Sequence, residues 1–121
     1  MNIKLLTVAV KNLLPDNTPF NVIGATYAGI ETLNDTELPS EDAVMDEYAR
    51  VEAAEPMRIL REERDRLIAE TDWWVLPDRT ASEAQLAYRQ ALRNVPDNST
   101  PVLDNTTMLG ISGVTWPTKP S

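Results

Sequence analysis

Apolar residues near the start of the chain come in adjacent pairs one turn apart: Leu5/Leu6, Ala9/Val10 and Leu13/Leu14. That spacing predicts a short helix over Lys4–Leu14 with one buried stripe. The valine and threonine content keeps a strand over Ile3–Val10 as the competing reading. Pro15 and Asp16-Asn17 end the element, because proline has no amide hydrogen with which to continue it. Phe20–Ile23, flanked by Pro19 and Gly24, and Ile30–Leu33, stopped by Asn34-Asp35, read as two short strands. Gly24 and Gly29 supply unusual backbone angles between them. A lone hairpin is marginal in water, so this one must pack on the first helix or borrow an edge from a partner.

The period becomes helical again at Pro39-Ser40. Ser40 is the expected N-cap, and Glu41 and Asp42 lie in the first turn, where the helix dipole favours them. Val44, Tyr48 and Val51 form the seam. Pro56 either kinks one helix of about 40–72 or divides it in two, at roughly 3 kcal/mol if uncompensated. A coiled coil of two or three heptads competes with that reading. Met57, Leu60, Leu67 and Ile68 carry the seam onward, with Arg64 in the gap. Opposite charges one turn apart, Arg58–Glu62, Arg61–Asp65 and Glu62–Arg66, add a few tenths of a kcal/mol each. The helix runs into Trp73-Trp74, and the two rings offer about 150–250 Å² apiece. Adjacent residues at a helix end point about 100° apart. One ring is therefore expected in the core and the other facing a partner.

Leu76–Arg79 reverses the chain. Thr80-Ala81-Ser82-Glu83 has capping-box spacing, so a second helix is expected from about 81, with Ala84, Tyr88, Ala91, Leu92 and Val95 on one face. Packed back on Leu60, Leu67 and Trp73, it makes an antiparallel helical hairpin closed by Pro96. From Asp97 onward Ser, Thr, Asn, Pro and Gly dominate, yet Val102, Leu103, Met108, Leu109, Ile111, Val114 and Trp116 are scattered through. A free tail usually carries fewer large apolar groups. Two readings stay open: the segment folds over its own hairpin, or it is an arm that docks on another subunit. The expected fold is α+β, mainly α: a short N-terminal helix and β-hairpin (1–38), a long kinked helix and antiparallel helical hairpin (39–96), and an extended C-terminal arm (97–121).

The run Leu60-Arg61, Glu63-Arg64-Asp65, Leu67, Glu70-Thr71-Asp72-Trp73, Leu76-Pro77-Asp78 resembles the signature of bacteriophage tail assembly chaperones and related small tail proteins. The later Tyr88-Arg89-Gln90-Ala91-Leu92-Arg93, Val95-Pro96, and the closing Trp116-Pro117 with Pro120 are similar to that family too. The chain departs from the pattern where Leu86 or its neighbours replace a tryptophan, and where Ala81–Gln85 is shorter than expected. The resemblance implies a non-enzymatic protein that binds a larger tail or tail-fibre protein through apolar surface. The alternative is a permanent structural subunit of the virion tail or tail-fibre complex.

Composition narrows the chemistry. The 121 residues suffice for one domain, or for one small domain with an arm. With no cysteine and no histidine, disulfides, thiolate metal sites and the commonest general base are excluded. The carboxylates Glu62, Glu63, Asp65, Glu70 and Asp72 sit among arginines on a helix surface, without the facing pair a hydrolase needs. No catalytic residue, cofactor or metal site is expected. The net charge of −8 is uneven. Residues 1–38 carry two positive and four negative side chains (−2), 39–78 five and twelve (−7), and 79–121 four and three (+1). Such a chain repels nucleic acid and anionic membrane. Its acidic helix is either a solvated face or a means of keeping a partner soluble. The apolar run Leu5–Val10 is too short to span a bilayer. The expected location is the host cytoplasm during assembly, with retention in the virion tail as the alternative. Trp73, Trp74, Tyr88, Leu109, Ile111, Val114 and Trp116 are the expected partner-binding residues, and self-association of the hairpin is left open.

Overall fold

In the computed structural model, which describes residues 1–120, Asn2 opens helix α1 (Ile3–Leu13). Its side chain accepts hydrogen bonds from the Lys4 and Leu5 amides at 2.9 and 3.3 Å. The helix wins over the strand alternative because the paired apolar positions bury together: Leu5, Leu6, Ala9 and Val10 all face inward. Strands β1 (Phe20–Val22) and β2 (Ile30–Thr32) pair antiparallel, with Val22 opposite Ile30. The two glycines between them serve different needs. Gly24 takes φ +70°, the left-handed region. Gly29 is required by close approach instead, since a Cβ there would lie 1.7 Å from the Ile23 carbonyl oxygen.

Helix α2 runs unbroken from Glu41 to Glu70 with Pro56 inside it. Ser40 caps it, its hydroxyl accepting from the Ala43 amide at 3.2 Å. The chain forms two compact units, Met1–Ala54 and Glu55–Ser121, and the change from one to the other falls within α2. The reason lies in the first turns of α2, whose Val44, Tyr48 and Val51 complete a core with Leu5, Leu6, Ala9, Val10, Leu14 and Ile30. Polar bonds tie the same elements. The Tyr48 hydroxyl accepts from the Asn2 amide at 2.8 Å and donates to Glu52 at 3.1 Å. Tyr27 donates to the Pro39 carbonyl at 2.7 Å.

The second unit holds the rest of α2, a single 3₁₀ turn at Asp72–Val75, helix α3 (Glu83–Asn94), a 3₁₀ turn at Pro96–Asn98, and an antiparallel ribbon of β3 (Val102–Leu103) and β4 (Ile111–Ser112). α3 starts two residues later than expected, because the capping box is Ser82 with Gln85 rather than Thr80 with Glu83. Both halves of that box are made, at 3.0 and 3.1 Å. Its core is two small clusters. Leu60, Val95 and Ile111 form one, flanked by Met57 and Ile59; Trp74, Tyr88 and Leu92 form the other, flanked by Leu67 and Ile68. Val95, just past the end of α3, thus clusters with Leu60, while Tyr88 and Leu92 of α3 cluster with the later Leu67 and Ile68 of α2, the order of an antiparallel helix pair. The class is mainly α with two small β ribbons. The second ribbon is an addition to the expected extended arm.

Candidate partner-binding surface

The corner where α2 turns toward α3 is held by one buried side chain. Arg89, only 7% exposed, reaches from α3 to the end of α2. One guanidinium nitrogen donates to the Ile68 carbonyl at 3.1 Å and to the Thr71 hydroxyl at 2.7 Å, and the other to Asp72 at 3.1 Å. The last carbonyls of a helix lack partners within it, and a cation there is favoured by the dipole. Thr71, itself fully buried, donates back to the Ile68 carbonyl at 3.0 Å. Among the described residues no buried side-chain nitrogen or oxygen lacks a hydrogen bond. The Thr71-Asp72 and Tyr88-Arg89 parts of the motif are therefore two halves of a clamp. Its role was not legible before, because a charged residue one position from the apolar stripe reads as surface.

With the corner fixed, the tryptophans separate. Trp74 turns in, 3% exposed, its centroid 6.0 Å from that of Tyr88. Trp73 stays 48% exposed, standing edge-on to Trp74 at 6.1 Å and 70°. The Arg79 guanidinium carbon lies 4.3 Å over the Trp73 ring centroid. A cation so placed contributes about 0.5–1 kcal/mol at an exposed site. Val75 and Leu76 beside it are exposed as well.

The loop joining β3 to β4 presents a second apolar feature. Asp104 accepts from the amide and hydroxyl of Thr106, which hold its carboxyl below the usual range, the hydroxyl foremost. Thr107 donates to the Ile111 carbonyl at 2.8 Å and accepts from the Gly110 amide at 3.0 Å. Gly110 takes φ +86° to close the turn. On this pinned loop Met108 is fully exposed and Leu109 is 38% exposed, with Val102 and Leu103 exposed on the strand behind.

The seven expected site residues thus fall into three groups. Trp73 and Leu109 face solvent. Trp74, Tyr88 and Ile111 are buried in the unit's own clusters. Val114 and Trp116 are half-buried, and Trp116 packs against both clusters at once. The structure brings Trp74, Tyr88 and Trp116 together, and Ile111, Val114 and Trp116; Leu109 joins neither set.

The charged surface of α2 differs in detail from its expected pattern. Arg58 bridges Glu55 and Glu62, and Arg66 bridges Glu63 and Glu70, while Arg64 takes Asp65. Pairs three apart compete with pairs four apart, so Arg66 turns away from Glu62. Exposed pairs of this kind contribute little to stability. Among the described residues no group of three acidic side chains is placed to hold a metal, and no helix is long and apolar enough to cross a membrane.

A family model described as phage tail assembly chaperone protein matches residues 57–121. The chain belongs to the phage tail assembly chaperone family. The match takes in the second unit from its third residue onward and none of the first. The clamp, the tryptophan pair and the ribbon all lie within it. No curated protein and no solved structure matches the chain. Family membership assigns the protein to phage tail assembly.

Proposed function

We propose that the protein acts without catalysis, binding apolar surface of a larger tail or tail-fibre protein in the host cytoplasm until that protein is assembled. The observation that carries this reading is the outward tryptophan. Trp73 is large, apolar and half in water, yet its base is fixed against Trp74 and its face is covered by Arg79. An aromatic held on a rigid support loses little entropy when it docks. Leu109, with Met108 on the pinned ribbon loop, supplies a second contact of the same kind. The acidic α2 keeps the complex soluble and sets the field that a partner meets.

Co-purification from infected cells tests the reading. The wild-type chain should recover a tail or tail-fibre protein, and Trp73→Ala and Leu109→Ser should each recover at least several-fold less while keeping their helical circular dichroism. Equal recovery by all three would end it. Mass spectrometry of purified virions then assigns the role. Absence from particles together with a soluble complex supports a chaperone, and stoichiometric presence supports a permanent tail subunit.

A further inference from the structure

Among the described residues, 114–120 have no regular structure, and no backbone–backbone hydrogen bond joins them to anything. The segment is nevertheless seated. Trp116 lies across both apolar clusters of the second unit, Val114 packs on the one containing Leu60, and Lys119 pairs with Glu70 at 3.0 Å. The Lys119 nitrogen is also 5.8 Å from the Trp74 ring centroid. Gly113 takes φ +83° where the strap leaves β4, and a Cβ there would lie 2.3 Å from the Thr100 carbonyl oxygen. The strap is thus attached by side chains alone, beyond a point at which the backbone is fixed. Thr115, Trp116 and Pro117 of the strap themselves form one wall of an open space of about 340 Å³, whose other wall is Ala91, Asn94, Val95 and Asn98. Segments with few backbone bonds open at low free energy.

We propose that residues 114–120 are a removable cover over a docking groove, the apolar bed of both clusters on which Trp116 now rests. What replaces them is an extended segment of the tail protein with the strap's own chemistry: an aromatic ring, a proline next to it, and a cation three residues after the ring. The chemistry is read from what the groove already holds. The floor of Trp74, Leu92 and Val95 takes the ring, and Glu70 takes the cation. Glu70 is held below its ordinary carboxylate range, first by Lys119 and then by Arg66, and Arg66 stays beside it when the strap lifts. A tethered strap competes at an effective concentration on the order of millimolar, which keeps the groove closed until a better-matched segment arrives. This deepens the proposed function and rests on it.

A fluorescently labelled peptide of residues 113–120 is the probe, and anisotropy is the readout. The Trp116→Ala chain, whose own strap has lost its anchor, should bind the peptide at least tenfold more tightly than the wild-type chain. Adding Glu70→Lys to that variant should weaken binding about fivefold, and a peptide carrying Lys119→Glu should restore it. If Trp116→Ala loses its helical signal, Lys119→Glu in the full chain loosens the strap without touching the core, and about a threefold gain is expected. Equal binding to the wild-type and loosened chains, or no binding to a folded loosened chain, would overturn the proposal. So would a strap-exchanged dimer of the wild-type chain, which would give the groove to a second copy. With the co-purified tail protein, loosened chains should bind more tightly than wild type. Unchanged or weaker binding there overturns the cover but leaves the chaperone reading standing. If no chain binds a tail protein at all, the chaperone reading is what fails.

Discussion

The two units of this protein reach cohesion by different means. The first buries nine apolar or aromatic residues from α1, β2 and α2 in one continuous cluster, and its tyrosines tie loop to helix with ordinary hydrogen bonds. The second divides its core into two clusters of three, joined by a single half-buried tryptophan and secured at the corner by one buried arginine. A continuous core responds to damage as a whole. A divided one exposes parts of itself piecemeal, and the family match lies on the divided one.

The largest effects should come from the cores. Leu6→Ala should cost about 2–5 kcal/mol and Trp74→Ala about 3–5 kcal/mol, both measured by urea unfolding. Each should remove the tertiary signal of its own unit first, followed by amide exchange. If either substitution melts both units together, the contrast is wrong.

Next comes the clamp. Arg89→Gln takes away the charged donor to the buried Thr71 hydroxyl and to Asp72, and leaves the Ile68 carbonyl with the Thr71 amide and hydroxyl alone, at about 2–3 kcal/mol. Thr71→Ala should cost about 1 kcal/mol, because the guanidinium keeps its other acceptors. Equal losses would mean that the packing of Trp74, not the polar clamp, holds the corner.

Acid should separate the units more gently. Glu70 has its folded pKa depressed, so its link to Lys119 contributes above the ordinary carboxylate range and is lost as pH falls through the depressed value. In the first unit Arg50 and then Asn12 hold Glu47 down to about 2. Its contribution is complete above its ordinary value of 4.5 and fades only as pH falls toward about 2. Side-chain resonances of Asn12 should therefore hold until the pH approaches about 2, and those of Lys119 should shift once the pH has fallen below the ordinary carboxylate range. Smallest of all, Trp73→Ala should change stability by less than about 1 kcal/mol, as exposed substitutions do, while lowering recovery of the tail protein. A larger loss would show that the ring is structural.

Much of this was legible in the residues themselves. Period and punctuation placed α1, the first hairpin, α2 and α3, since Leu5/Leu6, Val44, Tyr48 and Leu92 bury as their spacing demands. The division of the tryptophan pair followed from the angle between neighbours on a helix end. Other features were hidden for physical reasons. Ser82 and Thr80 each stand three residues ahead of a group able to complete a cap, and only the tertiary position of the corner chooses between them. Two-residue strands such as Val102–Leu103 are too short for alternation to register. Arg89 carries no sign in sequence that it will be buried, because its acceptors lie seventeen or more residues earlier in the chain.

Pro56 sits two residues past the division between the units, inside a helix that continues through it. Having no amide hydrogen, it leaves the Glu52 carbonyl without its rung in the ladder. That gap works as a firebreak: fraying that starts on one side meets a missing link before it can spread to the other. Amide exchange under mild denaturant should find its step there, with the family-typical portion able to loosen while its neighbour stays wound.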